Sequence, residues 1–247
     1  MVIAFSVAII FTSFFSFVDL GLDSLKTMQV IFFDYSPEGR ALVLRIINVQ
    51  NIMWWIFFIG SAELYYRNVL IKKNTHALSK KYLSEQQFEI YTSEDIIKFR
   101  KNLLNEENLL ADLIKKLVLR YQASRKSVDE THQMLNSQLQ MMQYKLDVDY
   151  NLIKYITWLI PTLGFIGTVI GIALALNFAG QPGAAESAGF LEQLTSKLSI
   201  AFYTTLVALI MSAILVFGQN LIQAKEEMSI QQTAEYCLNF FINKLSS

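Results

Sequence analysis

Proline is scarce in this chain: three residues in 247. Between Asn68 and Ile160 there is neither proline nor glycine, so nothing in that tract forces a turn, and long helices are expected there. Cysteine is scarcer still. Cys237 stands alone, which excludes an intrachain disulfide. The two histidines, His76 and His132, lie far apart and have no cysteine nearby, so no metal site is expected. Charged residues make up only 17% of the chain and cancel to a net charge of zero. That balance argues against a nucleic-acid partner, and the low charge argues against an ordinary soluble domain. No G-x-x-x-x-G-K-[ST] pattern is present, which removes the usual nucleotide-driven pump.

What is present is apolar: 53% of residues are hydrophobic. A helix needs roughly 20 apolar residues to cross a ~30 Å hydrocarbon core, and four stretches approach that. The first is Met1 to Val18, without a charge. It lacks the basic start and small-residue cleavage site of a signal peptide, so a retained span is expected. The second is Ile46 to Ala62, preceded by a Ser36–Pro37 helix start and by Arg45, which can snorkel to the interface. Its Asn48, Gln50 and Asn51 should face protein rather than lipid. The third is Tyr155 to Ala179 and the fourth Ser199 to Leu221, joined by a turn-rich loop from Gly180. The expected fold is therefore all-α and polytopic, with about four transmembrane helices and long cytoplasmic helical extensions. Its parts are an N-terminal hairpin (1–62), a cytoplasmic helical region (63–154), a core pair of spans (155–221) and a C-terminal amphipathic helix (222–247).

Basic residues orient it. Of the 21 Lys and Arg, 15 fall between Glu63 and Lys154, with Arg67, Lys72 and Lys73 just beyond the second span. That places the middle segment, and with four spans both termini, in the cytoplasm. Phe99, Leu103, Leu110, Leu113 and Leu117 recur on one helical side. Val128, His132, Leu135, Leu139, Met142, Leu146, Asp149 and Ile153 alternate by four and three, a heptad seam with two polar breaks. This seam fits packing within the chain or between subunits, and its helix can run unbroken into the third span. After Leu221, Ala234, Leu238, Phe241 and Leu245 share a face, with Cys237 beside it and expected to be buried. The charged cluster Glu94, Asp95, Lys98, Arg100 and Lys101 reads as a solvated face.

The last two spans carry the informative pattern. "WLIPTLGFIGTVIGIALAL", Trp158 to Leu176, holds Pro161, Gly164, Gly167 and Gly171. On a helix Gly164, Gly167, Thr168, Gly171 and Ala175 form one smooth stripe with a single hydroxyl. In the fourth span Ala201, Thr205, Ala208 and Ser212 line one face, with Thr204 at its edge. Such faces permit close helix packing, or they line a narrow polar passage. Apart from Glu186, Glu192 and Lys197 around the connecting loop, no Asp, Glu, Lys, Arg or His falls between Tyr155 and Leu221. A proton path needs a titratable group near the midplane, so here it would have to come from another protein. Ser212 has no activating base in the spans, and no enzyme activity or cofactor is expected.

"PTLGFIGTVIGI" (Pro161–Ile172) and "LSIAFYTTLVALIMSAILVF" (Leu198–Phe217) resemble the MotA/TolQ/ExbB proton-channel family over about sixty residues. The resemblance implies a homopentamer in the bacterial inner membrane, built around a dimer of a single-span MotB/TolR/ExbD-type protein that carries an intramembrane Asp. It implies proton flow driving mechanical motion. By motif, Thr168 matches the threonine of G-T-V and Thr205 that of the last span, with Thr204 its neighbour; these are the implied ion-pathway residues. Pro161, Gly164, Gly167 and Gly171 match positions that let the helix bend and pack closely, and Ala208 and Ser212, on the small face of the fourth span, are the further packing positions. Four spans resemble the flagellar stator subunit, whereas "LGFIGTVIG" is closer to the TolQ/ExbB core, so the subtype stays open. A non-conducting membrane scaffold is the alternative.

Overall fold

The computed structural model describes residues 2–17, 48–79, 108–124 and 127–242. All regular structure among them is helical. In chain order it comprises α1 (Val2–Phe17), α2 (Val49–Ser79), α3 (Leu109–Ala123), α4 (Val128–Ala179) and α5 (Phe190–Cys237). A 3-10 turn, Ala184–Glu186, precedes α5, and a π turn, Leu238–Ile242, follows it. Two helices, α4 and the helical run Phe190–Ile242, are long and apolar enough to cross a membrane by length and composition. The expected Ser36–Pro37 helix start, Arg45, Phe99, Leu103, the Glu94–Lys101 charges and Leu245 lie outside the described residues.

The chain divides into two compact units, one of Met1–Leu64 with Leu152–Gln219, the other of Tyr65–Asn151 with Asn220–Ser247. In the first, α1 meets α2 through an aromatic group: the Phe11 ring lies 5.8 Å from Trp54 and 5.4 Å from Phe58. Trp55 Nε1 donates to Thr12 Oγ1 at 3.0 Å, so this mid-span indole has a partner inside the protein. Gln50 and Asn51 are buried, as polar groups in the apolar first half of α2 should be. Asn48 instead caps α2, its Oδ1 accepting from the Asn51 N–H at 2.7 Å.

In the same unit Pro161 lies inside α4. Proline has no N–H, so the carbonyl four residues earlier, that of Thr157, loses its helical partner. Ser212 Oγ of α5 donates to that carbonyl at 2.9 Å. A neighbouring helix thus supplies the bond that proline removes. The connecting loop turns on Gly183 and Gly189, at φ 76° and 81°, where a side chain would be strained.

In the second unit the core gathers Leu110, Leu113, Ile114 and Leu117 of α3 with Leu135 of α4, Cys237, and Phe241. Val128, Leu139 and Met142 of the heptad seam pack against it, so this part of the seam closes within the chain. Its polar breaks, His132 and Asp149, are exposed. Helices α3 and α4 part at Ser124–Ser127 without glycine or proline. Ser127 Oγ accepts from the Glu130 N–H at 3.3 Å, the S-x-x-E start of a new helix.

A buried charge cluster ties three helices of this unit. Arg67 of α2 reaches Glu226 of α5 at 3.4 Å and the Asp149 backbone carbonyl of α4 at 3.2 Å. Its guanidinium lies 4.5 Å over the Tyr150 ring, and the Tyr150 hydroxyl donates to Glu226 at 3.0 Å. Burial, then the adjacent Glu226 carboxylate, push the Tyr150 phenol well above its ordinary value.

Candidate functional site

The site forms where α4 crosses α5. Three glycines of α4 let the two backbones touch. A Cβ at Gly164 would collide with that of Ala208; one at Gly167 would lie 2.7 Å from Thr204 Oγ1, and one at Gly171 2.9 Å from Ala201 Cα. Ala201, Ala208 and Ala175 are fully buried, and Thr204 and Ser212 nearly so. Phe165, Ile166, Val169, Leu176, Phe202, Leu206 and Leu209 face outward, exposed. The small residues therefore mark the contact and the bulky ones its outside.

Thr168 and Thr205 meet across this contact, and their hydroxyls hydrogen-bond each other. Both are partly buried rather than sealed. Thr168 Oγ1 also reaches the Gly164 carbonyl at 3.2 Å and that of Ala201 at 3.1 Å. Thr205 Oγ1 reaches the Gly164 carbonyl at 3.1 Å, across the contact. Two hydroxyl protons thus face two carbonyls and each other. Either hydroxyl can donate to the other while its partner donates to a carbonyl, so the pair has interchangeable proton arrangements. Its members are neutral, and the two apolar stretches around it hold no titratable Asp, Glu, Lys, Arg or His. The pair can relay a hydrogen bond or solvate a cation's shell. It cannot itself store a proton as a carboxylate does.

The fold brings together Thr168 and Thr205. Thr204 lies deeper, against Gly167, and spends its proton on the Ala201 carbonyl of its own helix at 2.7 Å. Ala208 packs on Gly164, and Ser212 serves the carbonyl freed by Pro161. One member, Thr157, was not singled out from sequence, and for Ala201, read there as part of the small face, the role of its carbonyl was not. Thr157 follows from counting four residues back from Pro161. Ala201 contributes the carbonyl shared by Thr168 and Thr204; it stands three residues before Thr204 on the same helix and across the contact from Thr168. The Arg67–Tyr150–Glu226 cluster was also missed, because nothing in the sequence pairs residues on three separate helices.

No curated protein and no solved structure matches the chain. The sequence profile of the MotA/TolQ/ExbB proton channel family matches residues 102–235, more than half of its length, including the whole of the α4–α5 contact. With two long apolar helices packed through a glycine stripe and a paired threonine, this chain belongs to the MotA/TolQ/ExbB proton channel family.

Proposed function

We propose that the chain is the ring-forming subunit of a motor driven by the proton-motive force. Five copies surround a dimer of a single-span MotB/TolR/ExbD-type protein in the bacterial inner membrane. The chain crosses that membrane four times, with the middle segment and both termini in the cytoplasm; Arg67, Lys72 and Lys73 beyond the second span support that orientation. It carries out no covalent chemistry and needs no cofactor. It shapes a passage, and the partner's Asp takes up and releases the proton. Each proton crossing the potential releases ~2.3 kcal/mol per 100 mV.

The observation that carries this is the Thr168–Thr205 pair, partly open at the contact of two apolar stretches, 155–179 and 199–221, that hold no acid of their own. Ser212 and Thr157 support the same picture, because they keep a proline-bearing helix intact without a charge. A scaffold built only for packing would need the glycine stripe but not a partly exposed hydroxyl pair.

Proton uptake into inverted membrane vesicles separates the two. Co-expression with the partner should give flux that vanishes when the partner's Asp is replaced by Asn. Equal proton movement with and without that carboxylate would leave the scaffold standing.

A further inference from the structure

In a head-to-tail ring, every copy must present two different surfaces that fit each other. Within the second unit, α5 carries two such surfaces on opposite sides. Lys225, Met228, Ser229 and Gln232 follow at steps of three, one and three and share one face. With Asn68, Ile71, Lys72, Thr75 and His76 of α2 they line a groove of about 550 Å³. Its lining holds two lysines and a histidine and no carboxylate. Neither lysine makes an ion pair among the described residues. Ser229 is 3% exposed, and its hydroxyl has no hydrogen-bond partner among the described residues. A buried unmet hydroxyl in a basic groove calls for a polar group from outside.

The opposite face of α5 bears Glu227, Ile230 and Gln231, which with Gln143, Leu146 and Asp147 of α4 line a second groove, this one acidic. On α4, Tyr144 and Val148 flank Asp147 on one side of the helix and are 72% and 46% exposed. These side chains have no cover among the described residues, and across α5 Met228 is 61% exposed at the basic groove. A two-fold dimer through either groove would set like charge on like. A cyclic contact sets acid on base.

We infer that the α4 ridge of Tyr144, Asp147 and Val148 of one copy seats in the α2–α5 groove of the next, Asp147 and Glu227 opposing Lys72 and Lys225. The contact rests on the ring proposed above and specifies which faces close it. Native mass spectrometry of the detergent-solubilised protein tests it. Wild type should run as a closed ring, and a monomeric wild type would overturn the ring itself. Asp147→Lys and Lys225→Glu should each abolish the ring population, and the two together should restore it. A ring that survives both single changes, or that fails to return in the double variant, overturns the contact while leaving the ring in place. So does a ring that persists in Lys72→Glu and Lys225→Glu while losing bound phosphatidylglycerol, because the groove would then be a lipid seat. A second measurement avoids charge changes. Oxidation of a Tyr144→Cys, Met228→Cys variant should give a ladder of covalent oligomers, Cys237 being buried. Only monomer after oxidation would overturn the contact.

Discussion

Ser212 shows how one hydroxyl can decide whether a proline is tolerated inside a membrane helix. It donates to the Thr157 carbonyl that Pro161 leaves unserved. Removing it in Ser212→Ala should cost about 1 kcal/mol, the usual scale for an interhelical bond in lipid. The loss should shrink when Pro161→Ala restores the intrahelical donor; a double-mutant cycle of unfolding in detergent measures this. Cys237 supports a different prediction. Burial raises its thiol from the ordinary 9.0 to about 12. In the unfolded chain the thiol ionises first, so folding loses stability as pH rises above about 9. Tyr150, also raised, adds to the loss at higher pH. Unfolding measured between about pH 8 and pH 10 should show a decline of up to about 1.4 kcal/mol per pH unit from the thiol. Cys237→Ala should remove that part. An undiminished slope in the variant would exclude the thiol as its source.

At the scale of elements, the α4–α5 contact depends on the absence of side chains. Gly164→Val should force the helices apart, because even a single Cβ there meets Ala208. Destabilisation of about 1–3 kcal/mol is expected, with loss of the Thr168–Thr205 bond visible as altered hydrogen exchange at the contact. An unaffected variant would mean that the helices do not approach this closely. The glycine and alanine stripes are legible in the sequence, since helical spacing alone assembles them. The continuity of α4 is legible too, because no breaker interrupts residues 128–160. The parting of α3 from α4 is less so. It uses a serine cap and a glutamate three residues on, and Ser127–Glu130 carries the signal that a search for glycine and proline passes over. Arg67, Tyr150 and Glu226 were beyond reach for another reason. Arg67 and Glu226 are 159 positions apart in sequence, and periodicity describes a helix's own face, not what stands opposite.

For the whole molecule, the physical claim is a division of labour. In the proposed motor this chain would supply two slim helices and a neutral hydroxyl relay, and a partner the acid. Family membership and the missing intramembrane charge point the same way from independent directions. The sequence separates a passage from mere packing less clearly, because the same small residues serve both. The fold sharpens the question by placing Thr204 in the packing and leaving Thr168 and Thr205 partly open. The most direct test is therefore chemical rather than steric. Proton flux through proteoliposomes holding the chain and its partner should be compared for wild type, Thr205→Ser and Thr205→Val. Serine keeps the hydroxyl and valine keeps the shape. The hydroxyl relay predicts near-normal flux with serine and a drop of about tenfold or more with valine, equivalent to about 1.4 kcal/mol at the barrier. Undiminished flux with valine would contradict it.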